Sequence, residues 1–274
     1  MDNALAIISR SDAGKLRPIN EDAVYVSPRL GLAILADGMG GYNAGEVASG
    51  MATSLLGAAL EKRWQGGAPA DAQAVRDAIA ECIVASNEAI HAAAQSHSQY
   101  AGMGTTLVLA MFCGGWVTVA HVGDSRLYRL RGRQLTLLTR DHSLLQEQLD
   151  RGLISREEAG RAQHKNLVTR AVGIDLEVEA DIASLDAQTG DLYLLCSDGL
   201  NDMLSDEEIA KLLLAHRRDL PAAADALVRA ANDAGGRDNV SLILAQTGTA
   251  AVPVGGWLRR LLDCFGWRRK RCGN

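Results

Sequence analysis

The 274-residue chain predicts a layered α+β fold, and three observations carry that reading. Its strand-like apolar runs are short and turn-linked, which favours antiparallel pairing over βαβ alternation. Helical periodicity falls in separate blocks between two groups of strands. No Pro/Ser/Gly-rich linker divides the chain, so with 47% apolar residues it can bury the core of one large domain.

In chain order, strands are expected over 5–9, 23–27 and 32–36. Residues 45–60, rich in Ala, Met and Leu, read as a helix. Over 71–97, Val75, Ile79, Cys82, Ile83 and Ile90 fall on one helical face. The turn Gly66-Gly67-Ala68-Pro69-Ala70 joins the two helices. From Met103 to Val122 there is no Asp, Glu, Lys or Arg, close to the length of a membrane span. Gly114-Gly115 in its middle turns it into a hairpin of two buried strands, 105–112 and 116–122. Further strands are expected over 126–131, 134–138, 177–185, 192–196 and 240–246. Ser205 with Glu208 forms a capping-box pattern ahead of Ile209, Leu212 and Leu213, and 221–234 reads as a last helix. Residues 141–171 are polar and irregular, with a second capping signal at Ser155 and Glu158. They suit either a flap beside a site or an ordinary surface helix pair.

Two strand runs stop at Asp-Gly: Leu32 to Asp37-Gly38, and Leu192 to Asp198-Gly199. A buried strand ending this way delivers a carboxylate to the rim of a sheet, and the glycine admits close backbone approach. A third run ends in Gly123-Asp124-Ser125-Arg126. Acidic turns also occur at Asn20-Glu21-Asp22 and Arg237-Asp238-Asn239. Asp-Gly is a common turn dipeptide, so each alone is weak; the set is more specific. If Glu21, Asp37, Asp198 and Asp238 converge, their charges need compensation. A divalent cation supplies it, and an all-oxygen donor set suits Mg²⁺ or Mn²⁺ over Zn²⁺. Paired ions of this kind activate water and neutralise a phosphoryl group in in-line displacement. Arg17, four residues before Glu21, offers a bidentate guanidinium for phosphate oxygens.

The five cysteines form no Cys-x-x-Cys pair, and three lie in apolar segments, the usage of a reducing cytoplasm. The N-terminus lacks the features of a signal peptide. From Thr249 onward six basic residues face one acidic residue, +5, which leaves −10 on the remainder of a chain of net charge −5. An acidic body excludes nucleic acid as the expected partner. Wound as a helix, the tail puts Trp257, Leu258, Leu261, Leu262 and Phe265 on one face and arginines on the other. That pattern fits an interfacial helix on anionic lipid, a partner-binding helix or a frayed terminus.

Arg17-Pro18-Ile19-Asn20-Glu21-Asp22, Asp37-Gly38-Met39-Gly40-Gly41, Gly104-Thr105-Thr106, Val122-Gly123-Asp124-Ser125-Arg126, Ser197-Asp198-Gly199 and Arg237-Asp238-Asn239-Val240 stand in an order that resembles the metal-dependent serine/threonine protein phosphatases of type 2C, in their compact bacterial form. The resemblance covers residues 1–247, taken as the catalytic domain with a flap-like segment 141–171; residues 248–274 form the basic amphipathic tail. It implies a four-layer α/β/β/α sandwich of two antiparallel sheets with a dinuclear Mn²⁺ or Mg²⁺ site at one end. By the same resemblance Asp37 bridges both ions, Asp198 and Asp238 complete the first ion's shell, and Glu21 with the Gly38 carbonyl binds the second. Asp22 accepts a hydrogen bond from metal-bound water, Arg17 holds the substrate phosphate, Asp124 with Asp198 serves a weaker third ion, and Asn239 supports Asp238.

The implied reaction is hydrolysis of phosphoserine and phosphothreonine in proteins by direct attack of the bridging hydroxide, opposing a bacterial Ser/Thr kinase. Met39 stands where many eukaryotic members carry His, which leaves the general acid to metal-bound water, His142 or His121, the histidines being more naturally structural. The expected setting is cytoplasmic, as a monomer, with peripheral contact of the tail at the inner membrane face. The rival readings are a phosphoprotein-binding pseudophosphatase and a scaffold tethered through its tail.

Overall fold

Alternation along the strands builds the architecture. In β3 (Leu32–Met39), Leu32, Ile34 and Ala36 pack beneath helices α1 (Ala44–Arg63) and α2 (Ala72–Ser96), while Ala33 and Leu35 face a second sheet. In β10 (Leu192–Cys196), Leu192, Leu194 and Cys196 pack beneath α5 (Asp206–Ala215) and α6 (Leu220–Asp233), while Tyr193 and Leu195 turn inward. Side chains of period two on strands buried at both faces yield three core layers between four structural layers. The expected α/β/β/α sandwich is therefore present, in a computed structural model that describes residues 5–41, 44–66, 69, 71–155, 158 and 167–248.

One sheet has the order β1-β11-β10-β7-β8, where β1 is Ala6–Asp12, β11 Val240–Gln246, β7 Arg126–Arg131 and β8 Gln134–Leu137. The other has the order β2-β3-β5-β6-β9, where β2 is Asp22–Ser27, β5 Leu107–Cys113, β6 Trp116–Val122 and β9 Asp181–Asp186; β4 (Gly104–Thr105) pairs with β3. All the pairings are antiparallel. The pairing of β1 with β11, Asp12 opposite Val240, sets the loop that follows the first strand beside the loop that precedes the last.

Local signals behave as the sequence suggests. Asp71 caps α2 by accepting from the backbone N–H groups of Gln73 and Ala74, and Ser205 and Glu208 complete a capping box on α5. The strand expected over 105–112 is split, Gly104–Thr105 pairing at the end of β3 and the rest with its first half, Leu32 to Leu35. The strand expected over 177–185 begins only at Asp181, because its partner β6 ends at Val122. Helix α3 (Leu144–Asp150), capped by Ser143, lies in the segment read as irregular. The second capping signal is present, with Ser155 Oγ accepting from the Glu158 N–H at 3.2 Å; residues 159–166 and the tail from Thr249 fall outside the described residues. Among the described residues no helix is long and apolar enough to cross a membrane.

Candidate metal and phosphate site

The inward faces of the two sheets are apolar in the middle and polar at one end. Asp37 continues the inward set of Ala33 and Leu35. Asp22, on the strand whose Val24 and Val26 pack inward, is its direct cross-strand partner. Ser241 precedes the inward Ile243 and Ala245 on β11, and Ser197 follows β10. These four polar side chains meet where the apolar layer stops. Ser197 Oγ donates to Asp22 Oδ2 at 2.8 Å and accepts from the Ser241 N–H at 3.0 Å. Asp22 Oδ1 is buried with no hydrogen-bond partner among the described residues.

Asp37 is fixed through its backbone. Its N–H donates to Thr106 Oγ1 at 3.0 Å, and its carbonyl accepts from the Thr106 N–H and from Thr105 Oγ1, both at 2.8 Å. Thr106 Oγ1 in turn lies 2.8 Å or less from a second hydroxyl, Ser125 Oγ at 2.7 Å, beside Asp124. The next residue, Gly38, donates its N–H to the Glu21 carbonyl at 3.1 Å, and any Cβ there would collide with the Gly45 carbonyl oxygen. Close approach of β3 to the start of α1 thus requires glycine. At Gly199, in the short helix α4 (Asp198–Asn201), a Cβ would collide with the Asn239 carbonyl. Glycine at that position lets the Asp198 and Asp238 segments touch.

A cleft of about 260 Å³ opens at this end, lined by Arg17, Glu21, Asp37, Gly38, Met39, Gly40, Thr106, Asp124, Val168, Asp198, Asp238 and Asn239. The structure thus gathers around one cleft every residue expected at the site except Asp22, the cross-strand partner of Asp37. Arg17 Nη2 donates to Asp238 Oδ2 at 2.6 Å. Gly40, Thr106 and Val168, which lack a predicted role, also line the cleft; Val168 is contributed by the returning arm of the flap-like segment.

Crowded carboxylates show the strain of their company. Burial, reinforced by neighbouring carboxylates, holds Asp37 and Asp198 well above the usual carboxylate range. Burial also pushes Asp22 and Asp124 up to about 6, the first eased by hydrogen bonds from Ser241 and Ser197, the second aggravated by Asp141. Glu21 is raised by burial and lowered in part by Arg17 and by the Gly45 N–H. Arg17 is driven upward, first by its hydrogen bond to Asp238. A divalent cation would relieve this repulsion, and a donor set made only of carboxylate and carbonyl oxygens fits a hard ion.

Another cluster, His121, His142 and Asp181, brings one ligand atom each within 4.8 Å. Its rings are oriented by backbone groups and by each other. His142 Nδ1 accepts from the Gly123 N–H at 3.1 Å, which leaves the ring hydrogen on Nε2, 3.5 Å from Asp181 Oδ2; His121 Nε2 faces the Arg140 carbonyl at 2.8 Å. This is a stacked structural pair, with ring centroids 4.7 Å apart, and neither histidine lines the cleft.

Residues that sequence reasoning did not assign to the site are Ser197, Ser241, Thr105 and Thr106, each holding a carboxylate in place. Thr105-Thr106 and Ser197 stand inside the quoted motifs. No signal distinguishes Ser241 from any other strand serine.

The comparisons agree with this geometry. Residues 18–244 match the family model described as Protein phosphatase 2C. The chain is 40% identical over 240 residues to the serine/threonine phosphatase stp of Listeria monocytogenes, covering 86% of this chain and 94% of that one. Among solved structures, the Mycobacterium tuberculosis serine/threonine phosphatase PstP/Ppp superposes with a TM-score of 0.81 at 38% identity, over 88% of this chain and 98% of that one. The catalytic domain of PstP in complex with two manganese ions superposes with a TM-score of 0.77 at 39% identity, over 89% and 98%. With these motifs in register over that length, the chain belongs to the protein phosphatase 2C family.

Proposed function

We propose that the protein is a metal-dependent phosphatase that hydrolyses phosphoserine and phosphothreonine in proteins. The observation that carries this reading is one cleft in which Arg17 and Glu21 from one end of the chain meet Asp238 from the other, with Asp37, Asp124 and Asp198 between them. Residues 1–247 form the catalytic unit, and residues 248–274 are an appended tail.

Asp37 would serve both of two Mn²⁺ or Mg²⁺ ions; Asp198 and Asp238 would hold the first, Glu21 and the Gly38 carbonyl the second, and Asp124 with Asp198 a weaker third. When bound, such ions lower the pKa of water and neutralise charge on the phosphoryl group. The chain supplies the rest. Arg17 orients the phosphate through its planar fork. Asp22, with Oδ2 taken by Ser197, offers Oδ1 to water, and it must be ionised to do so. Met39 carries no proton to donate, so the leaving alkoxide takes its proton from water.

The substrates are phosphoproteins, among them a Ser/Thr kinase that the enzyme opposes in the cytoplasm. The enzyme acts as a monomer, and the basic tail gives it a peripheral hold on the inner membrane face. The direct test is hydrolysis of p-nitrophenyl phosphate and of a phosphothreonine peptide after chelation and again after Mn²⁺ is restored. Activity that survives chelation, or that Asp198→Asn leaves intact, overturns the reading.

A further inference from the structure

The side chain of Asn239 does not turn toward its neighbour Asp238. It reaches across to the loop between β1 and β2, residues 13–21, and uses its oxygen and both amide hydrogens there. Oδ1 accepts from the Glu21 N–H at 2.8 Å, and the two Nδ2 hydrogens go to the carbonyls of Ala13 at 3.0 Å and Ile19 at 2.9 Å. Two carbonyls and one N–H dictate which end of the carboxamide is nitrogen. The residue is 4% exposed, so water does not substitute for any of the three.

That loop has no sheet partner of its own. At its start the Gly236 carbonyl accepts from the N–H groups of Lys15 at 2.7 Å and Leu16 at 3.2 Å, and at its end the Glu21 carbonyl accepts from the Gly38 N–H at 3.1 Å and from Ser49 Oγ at 2.5 Å. Asn239 is the side chain that ties both ends of the Arg17 segment to one point. Arg17 therefore lies between two points tied to Asn239, and Glu21 begins at a third. Isosteric replacement is difficult: Asp keeps the acceptor but loses both donors, and Ala loses all three contacts.

We propose that Asn239 is a positioning residue that sets the separation of Arg17 and Glu21 from Asp238, and so fixes the phosphate anchor and one cation ligand relative to the other wall of the cleft. The inference rests on the phosphatase reading above. Although Asn239 borders the cleft, its side-chain oxygen and both amide hydrogens are engaged by the loop, so it acts through the loop. A displaced guanidinium or carboxylate loses its bond to phosphate or cation, which gives the contact leverage over KM and Mn²⁺ affinity. A residue that only stabilised the fold would have no such selective effect.

The experiment uses the full chain with Mn²⁺, p-nitrophenyl phosphate and inorganic phosphate as probes. Wild-type protein must first show Mn²⁺-dependent hydrolysis; its absence overturns both this inference and the reading beneath it. With that established, folded Asn239→Ala is expected to raise KM about tenfold or more and to weaken calorimetric Mn²⁺ binding about tenfold, with kcat at saturation of both held within about threefold. Wild-type KM and Mn²⁺ affinity in folded Asn239→Ala, or a loss that only follows the unfolded fraction, overturns the inference alone. If Asn239→Ala does not fold, Asn239→Asp is compared with Asn20→Asp, which adds the same charge to the loop that Asn239 holds and leaves the three contacts in place. Inorganic phosphate should bind at least tenfold more weakly to the first than to the second; equal weakening overturns the proposal.

Discussion

Arg17 Nη2 donates to Asp238 Oδ2 at 2.6 Å, so the residue suited to a phosphate and a carboxylate suited to a cation satisfy one another. A cation on that oxygen competes with the guanidinium. Arg17→Ala should therefore act in opposite directions on the two ligands. A charge-assisted hydrogen bond contributes about 1.5–3 kcal/mol, so KM for p-nitrophenyl phosphate should rise roughly 10–100-fold. Mn²⁺ affinity, read by calorimetry, should stay level or tighten. If Mn²⁺ affinity falls together with phosphate affinity, Arg17 holds Asp238 in place instead of competing for it.

Ser197 is fully buried, and its hydroxyl serves Asp22 and the Ser241 N–H together. Ser197→Ala leaves that N–H unpaired and removes a donor from a carboxylate that burial already raises to about 6. The variant should lose about 1–3 kcal/mol of stability. Asp22 should also require a higher pH to ionise, so the acidic limb of the pH–rate profile moves upward. An unmoved limb in a destabilised variant would separate Asp22 from the rate.

His142 is a poor general acid on geometric grounds. It is buried, its Nδ1 is engaged by the Gly123 N–H, and burial with the adjacent His121 pushes its pKa down. What it does is join the Asp124 turn to the flap-like segment, donating its own N–H to the Gly123 carbonyl at 2.9 Å and accepting from the Thr169 N–H at 2.8 Å. His142→Gln and His121→Gln together should lower thermal stability while leaving both limbs of the pH–rate profile at their wild-type positions. Loss of the alkaline limb in the double variant would return the role of acid to this pair.

Much of this was legible in the chain. The apolar residues of 32–36 and 192–196 alternate so regularly between two buried faces that a strand sandwiched on both sides follows from them, and each run carries its terminal Asp to the rim. What could not be read was convergence. Glu21 and Asp238 meet because β1 pairs with β11 over Asp12 and Val240, a non-local contact that local propensity does not encode. Ser197 and Ser241 escaped for another reason: their function comes from facing one another across the end of the core. Helix α3 buries none of its side chains, so it has no apolar stripe from which to infer it. Asn239 does support the adjacent Asp238, through its backbone N–H to Oδ1 at 2.9 Å, but sequence shows neighbours and hides the loop that its side chain reaches.

The raised carboxyls make stability depend on pH, with a sign opposite to that of ordinary acid denaturation. Asp22 and Asp124 ionise near 6 in the folded protein and near 4 when unfolded, and Asp37 and Asp198 are raised further. Between those values the folded chain holds protons that the unfolded chain has released, so the stabilisation is complete below about pH 4 and is lost as pH rises through about 6. Ionising one such carboxyl costs on the order of 3 kcal/mol. His142, lowered by burial, works the other way over part of this range, one group against several. Protein stripped with EDTA should thus show a Tm that falls between pH 5 and pH 7.5. Saturating Mn²⁺ should remove the fall, because a cation takes over the role of the protons, and its Tm gain should be larger at pH 7.5 than at pH 5. Asp124→Asn should flatten the profile of the stripped protein. A Tm that rises over the same interval would mean the carboxylates are already compensated by something other than a cation.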